Sequence, residues 1–401
     1  MKLFECQSCG NPLYFENTKC ERCHHQTGYL PDLEVVSAVE PEGDKWVALA
    51  DRSKLYRFCA NWELHACNWM VEADSSTPLC RACQHNRTIP DISDPARFAL
   101  WRRMEEAKRR LIYSLIKLKL PTPSLAGGDQ EPLVFDFLAD APEHKVKILT
   151  GHDDGIITIS LAEADDAARE KLRTSLHEPY RTLLGHFRHE VGHFYWDKLV
   201  RDGGQLESCR AVFGDETPDY NEALQRYYQN GPAPNWRENF VSAYATMHPW
   251  EDFAETWAHY LHIVDTLEMA YAFNISVAPR VAADAGLSAS VDRNPYKAKD
   301  VETLISAWLP LTFAVNSLNR SMGQPDLYPF VISAPAVAKL QYIHDLIHAK
   351  LPKRADAPAP PPASSQDASE QALRPALLRQ KLSAVARRLL GSGDKSGAVA
   401  Q

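Results

Sequence analysis

Eight of the nine cysteines of this chain lie before residue 84, and no other feature restricts its folding as strongly. The first four read Cys6-x2-Cys9-x10-Cys20-x2-Cys23. Each C-x-x-C turn aims two sulfurs at one point, so two such turns joined by a short loop define a tetrahedral structural zinc site with four thiolate ligands. The next four, Cys59-x7-Cys67-x12-Cys80-x2-Cys83, contain only one tight pair. They point to a second structural zinc site, although spacing leaves open an exchange of pairs between the two sets. Disulfides are the competing explanation. The chain opens Met1-Lys2-Leu3-Phe4-Glu5-Cys6, with no secretory leader before the first pair, so a reducing cytoplasm and metal binding are expected. Cys209 stands alone and reads as an ordinary thiol.

A second motif carries chemistry. His189-Glu190-Val191-Gly192-His193 has the H-E-x-x-H spacing. On a helix, residues i and i+4 lie on one face, so both imidazoles reach one metal ion while Glu190 stands beside it as candidate general base for a bound water. Leu184, Phe187, Val191 and Phe194 recur at helical spacing, and no proline falls between Tyr180 and Val200, which predicts an amphipathic helix. Catalytic zinc usually takes three protein ligands and leaves one position open. The best source of a third lies between Tyr244 and Tyr260. Pro249 suits a first helical turn and pushes His248 out of the helical region, so a helix is expected from here to about Leu267. Glu251 and Glu255 share one face of it, and Phe253, Trp257 and Leu261 form an apolar stripe. Alone, two such carboxylates also fit a solvated acidic face. His248 reads as a turn residue, and His259 as either a support of the site or a surface group.

Glu251-Asp252-Phe253-Ala254-Glu255, with Tyr244 seven residues before Glu251 and H-E-x-x-H upstream, resembles the gluzincin metallopeptidases of the anthrax lethal-factor type. That resemblance implies Glu251 as third zinc ligand, Glu255 as a carboxylate supporting the site from outside the ligand sphere, and Tyr244 as a helper of the transition state. The 57 residues between His193 and Glu251 are a longer insert than in the simplest gluzincins. The order of cysteine pairs, Asn86-Arg87-Thr88-Ile89-Pro90-Asp91, His189 to His193 and His248 to Trp257 looks like the bacterial zinc-binding metallopeptidases with an amino-terminal zinc-ribbon domain. This wider resemblance spans roughly residues 1–350 and implies a fold and a peptidase-type site, with a peptide or protein as substrate.

Zinc ribbons often bind nucleic acid, but charge argues against it here. In the first ribbon, Lys2, Lys19 and Arg22 are matched by Glu5, Glu16 and Glu21, and the whole chain carries 44 Lys plus Arg against 52 Asp plus Glu. Neither balance is a phosphate-binding footprint. A protein-docking or stabilising role for the ribbons is favoured. The basic run from Arg102 to Arg110 reads as the outer face of a long helix running from Asp94 to about Leu120.

Lys145 to Thr150 and Gly155 to Leu161 read as strands joined by the turn-rich Gly151-His152-Asp153-Asp154. Helices are expected from Val301 to about Leu318 and Pro335 to about Leu351, and no apolar run is read as long enough, at about 18 residues, to cross a bilayer. Pro352 to Ala372 has linker composition, and Leu377 to Leu390 reads as a basic tail helix. The expectation is an α+β protein: zinc ribbons over 1–31 and 32–92, a mostly helical zincin-like catalytic domain over 93–351, and a linker with a tail helix over 352–401. It would hold one catalytic zinc and one or two structural zincs. The main rival is a zinc-ribbon interaction protein whose peptidase-like site is inactive or structural; a hydrolase of non-peptide amides is a second.

Overall fold

The computed structural model describes residues 3–129, 131–140, 148, 150–175, 181–281 and 286–351. Most of the expected strand from Lys145 to Thr150, and the whole tail helix from Leu377 to Leu390, lie outside the described residues.

The chain begins with a small hairpin, β1 (Phe4–Glu5) and β2 (Pro12–Leu13). An antiparallel meander follows, in the order β3 (Gln26–Leu30), β4 (Val35–Glu42), β5 (Lys45–Ala48), β6 (Asp51–Phe58) and β7 (Met70–Glu72). A boundary at residue 31 falls between the paired strands β3 and β4, so one sheet serves both cysteine sets. Phe15, Tyr29, Trp69 and Tyr113 form an aromatic cluster with ring centroids 4.7 to 6.1 Å apart. Tyr113 belongs to α1 (Pro95–Lys117), so ribbon and helices share a core.

Helix α1 starts where Asp94 accepts the amide of Ala96 and Pro95 fills the first turn. Beside it lies a four-stranded sheet ordered β10-β11-β9-β8, built from β8 (Asn86–Thr88), β9 (Val134–Leu138), β10 (Gly151–Asp153) and β11 (Ile156–Ser160). Residues 151–153, read from sequence as a turn, are themselves the strand β10. Asp154 and Gly155, at φ 45° and 81°, make the turn alone, because two consecutive left-handed residues are what a two-residue hairpin requires.

Apart from the short hairpin β12 (Ser276–Val277) and β13 (Ala289–Ser290), the remainder is helical: α2 (Asp166–Ser175), α3 (Leu183–Tyr195), α4 (Leu206–Phe213), α5 (Tyr220–Asn230), α6 (Trp236–Asn239), α7 (Pro249–Ala272), α8 (Val301–Ser321) and α9 (Ala334–Ile347). The whole is mixed α+β, a zinc-ribbon unit with sheets followed by a mostly helical domain. Helix α7 is buried along nearly its entire length and forms the axis on which the others pack. Helix α8 corrects one expectation: it is long and apolar enough to cross a membrane. Leu304, Trp308 and Leu311 are buried in the core, while Leu309, Phe313 and Leu318 are exposed.

The basic run of α1 also departs from expectation. Arg102 and Arg103 are exposed, but Lys108 and Arg109 are buried. Lys108 pairs with buried Glu105 at 2.8 Å, and Glu105 Oε2 lies 3.8 Å from Cys83 Sγ. A buried cation is tolerable only beside negative charge, and thiolates supply it here.

Candidate metal centre

Both cysteine sets close on themselves, without exchange. The sulfurs of Cys6, Cys9, Cys20 and Cys23 all lie within 4.8 Å of one another, as do those of Cys59, Cys67, Cys80 and Cys83. Measured S···S contacts of 3.5 and 3.6 Å approach the edge of about 3.8 Å expected of a tetrahedron with Zn–S bonds of about 2.3 Å. All nine cysteines are free. The amides of Trp69 and Cys80 donate to Cys67 Sγ and Cys59 Sγ at 3.4 and 3.3 Å, contacts that favour thiolate. The second set assembles because the amide of Cys59 binds the carbonyl of Trp69 across β6 and β7. Cys209 is buried, and its burial pushes the thiol up to about 12.

The third cluster joins α3 to α7. Thr182 caps α3 by accepting the amide of Gly185 at 3.0 Å, and its histidines fall one turn apart. His193 Nε2 lies 3.2 Å from His189 Nε2, while Glu251 brings Oε2 to 2.9 Å from His189 Nε2 and Oε1 to 3.5 Å from His193 Nε2. Bonds of about 2.0 to 2.1 Å to a tetrahedral zinc put neighbouring donors about 3.3 Å apart, so this donor set fits the ion. His248, just before Pro249, caps α7 by accepting the amide of Trp250 at 3.1 Å, which fixes Glu251 in the first turn.

Glu255 accepts from His189 Nδ1 at 2.7 Å and from the Ser242 hydroxyl at 2.6 Å. The proton of His189 is thereby held on Nδ1 and Nε2 is left facing the cluster. Burial alone would raise the Glu255 carboxyl, but His189 outweighs it and holds it down at about 2. Burial would likewise raise Glu251, and the charge and hydrogen bonds of His193 and His189 keep it ionised. Burial lowers His193. Burial also pulls His189 down, but Glu251 and Glu255 hold it well above its ordinary value; a bound dication would reverse that preference. Glu190 is buried, no described residue donates a hydrogen bond to it, and burial pushes its carboxyl up to about 7.

Tyr244 sits with its ring 6.0 Å from that of His189. The hydroxyl of Tyr220 donates to Glu251 Oε1 at 2.8 Å. The Trp250 ring covers His193 at 3.8 Å, and His152 of β10 lies 6.2 Å from His193. Sequence reasoning singled out none of Tyr220, Ser242, Trp250 and His152. Only Asp219 before Tyr220, a helix N-cap signal, marked any of their positions. His259 is buried and bonded to Tyr328, not a surface group.

Behind the cluster, Arg188 of α3 is clamped by Asp265 and His262 of α7. Asp265 also accepts from Ser114 of α1 and from Tyr296. The residue preceding His189 is thus tied to α7 at a carboxylate that α1 and Tyr296 also hold.

A family model described as "Putative zinc-binding metallo-peptidase" matches residues 97–346, and a zinc-ribbon domain model matches residues 3–94. The chain belongs to this family of zinc-binding metallopeptidases, with a zinc ribbon at its N-terminal end. An uncharacterized protein of Mycobacterium bovis is 41% identical over 351 residues, covering 86% of this chain and 95% of the relative. Uncharacterized proteins from two strains of Mycobacterium tuberculosis match to the same extent. No solved structure matches the chain.

Proposed function

We propose that the chain is a gluzincin-like zinc peptidase, with His189, His193 and Glu251 holding the catalytic ion and the two cysteine sets each holding a structural zinc. The observation that carries this reading is the convergence of two imidazole nitrogens and one buried carboxylate within 4.8 Å beside a buried Glu190 to which no described residue donates. When bound, zinc lowers the pKa of a coordinated water from 15.7 to about 7 and polarises a carbonyl.

The chain's own groups supply the rest. Glu190 is poised near neutrality by burial, so it accepts the proton of the attacking water and passes it to the leaving amine. Glu255 and Ser242 fix the ring of His189. The Tyr244 hydroxyl donates to the carbonyl oxygen as negative charge develops there. Strand β10 lies at the edge of its sheet and brings His152 beside His193, so an extended peptide can add along it. The substrate is a peptide or protein, and the ribbons are a docking or stabilising module.

Metal analysis paired with peptide hydrolysis tests the assignment. Glu190→Gln should abolish turnover and keep the full zinc content, whereas Glu251→Ala should lose about one zinc per chain. Unchanged zinc in both His189→Ala and Glu251→Ala would sink the ligand set.

A further inference from the structure

Helix α5 comes from the long insert between the two helices that carry the proposed ligands. It is seated over the centre by its own packing. Ala223 and Leu224 bury against Met247 with Tyr227 and Tyr244 alongside, and His248 Nε2 donates to the carbonyl of Pro218 at 3.2 Å. Asp219 caps the helix by accepting the amide of Glu222. Tyr220, its first residue, is thereby set where its hydroxyl meets Glu251 Oε1 at 2.8 Å, while Oε2 faces His189 Nε2 at 2.9 Å.

The two carboxylate oxygens have therefore been given different partners. Oε1, although 3.5 Å from His193 Nε2, already accepts from a phenol and is the weaker metal donor, which favours ligation through Oε2; a zinc site that works on water needs a position left open. If Glu251 bound through both oxygens, it would occupy that position. We propose that Tyr220 is the positioning residue of this centre, holding Glu251 to ligation through Oε2 alone. This inference rests on the reading of His189, His193 and Glu251 as ligands. It gives the insert a task that neither motif contains: setting the coordination number from outside the ligand set.

The experiment compares full-length wild type, Tyr220→Phe and Tyr244→Phe, with folding checked by circular dichroism. Zinc affinity of the most labile site is measured by chelator competition, and that site is reloaded with Co2+ for visible spectroscopy. Tyr220→Phe should weaken zinc about 10- to 100-fold, the usual effect of losing a hydrogen bond to a ligand. Its Co2+ bands should also lose intensity as the ion passes from four to five ligands. Tyr244→Phe should keep wild-type zinc affinity and the four-coordinate spectrum while losing turnover. A Tyr220→Phe protein with wild-type affinity and spectrum overturns the proposal and leaves the ligand set standing. Failure of His189→Ala to lose the labile ion overturns the ligand set itself, and this proposal with it.

Discussion

A Cβ placed on Gly192 would lie 3.0 Å from the Cα of Ala254 and 3.2 Å from the Cβ of Trp257. The residue just before His193, the second proposed ligand, is therefore the point at which α3 and α7 touch, backbone against backbone. Neither helix can yield there as a flexible side chain would. Gly192→Ala gains about 1 kcal/mol of helix propensity but meets overpacking of about 1 to 3 kcal/mol, so the net loss of stability should reach about 2 kcal/mol at most. Zinc affinity should fall more plainly, because Glu251 rides on the displaced helix. Urea unfolding and chelator competition on Gly192→Ala and the bulkier Gly192→Val read the two effects separately, with valine worse in both.

Glu255 bears on the same ion from outside its ligands. With its oxygens on His189 Nδ1 and the Ser242 hydroxyl, Glu255→Gln puts an amide where an ionised acceptor fixed the imidazole. Zinc affinity or turnover should drop about 10- to 100-fold, and Ser242→Ala should cost less because the contact between Glu255 and His189 survives. Equal losses in the two variants would show that Ser242, rather than the charge of Glu255, orients the ring.

The parts of this centre that were legible in the sequence are those with local causes. His189 and His193 share a face by helical periodicity, and Pro249 with His248 marks the start of α7, which sets Glu251 and Glu255 one turn apart. Tyr220 could not be read this way, since its place beside Glu251 depends on how α5 packs on Met247, a contact between distant segments. Lys108 and Arg109 misled for a related reason. A run of charge on a helix ordinarily faces water, and only the tertiary fold brings Cys83 and its neighbours against them. The grouping of the second cysteine set waited likewise on the pairing of β6 with β7.

Lys108 gives the test of that buried charge. It is fully buried, bonds Glu105 and Asn86, and stands on α1 beside the second thiolate set. Lys108→Met would leave Glu105, whose carboxyl burial already pushes up, without its cation and next to the second cysteine set. Breaking a buried pair on one side costs about 3 to 5 kcal/mol, so the midpoint of urea unfolding should fall sharply. The double variant Lys108→Met with Glu105→Leu should recover much of the loss, and a double variant no more stable than the single one would contradict this account.

Acid should weaken the fold through its buried imidazoles. Burial holds His344 down at about 4, where Nδ1 accepts from the Tyr260 hydroxyl at 2.9 Å and Nε2 faces the carbonyl of Lys299. Burial holds His262, beside Arg188, well below its ordinary value. An unfolded chain protonates these imidazoles near pH 6.5. Between pH 6.5 and 4 the unfolded state therefore binds more protons than the native state, and stability falls as pH falls. Zinc release from protonating thiolates acts in the same direction, so the wild-type slope alone does not identify the histidines. His344→Gln separates the two: metal loss is common to both proteins, whereas the proton uptake of residue 344 is not. Urea midpoints measured at pH 7, 6 and 5 should decline less steeply in His344→Gln, even if that protein starts lower at pH 7 for want of its hydrogen bonds. Parallel slopes would mean that His344 titrates alike in the folded and unfolded chains.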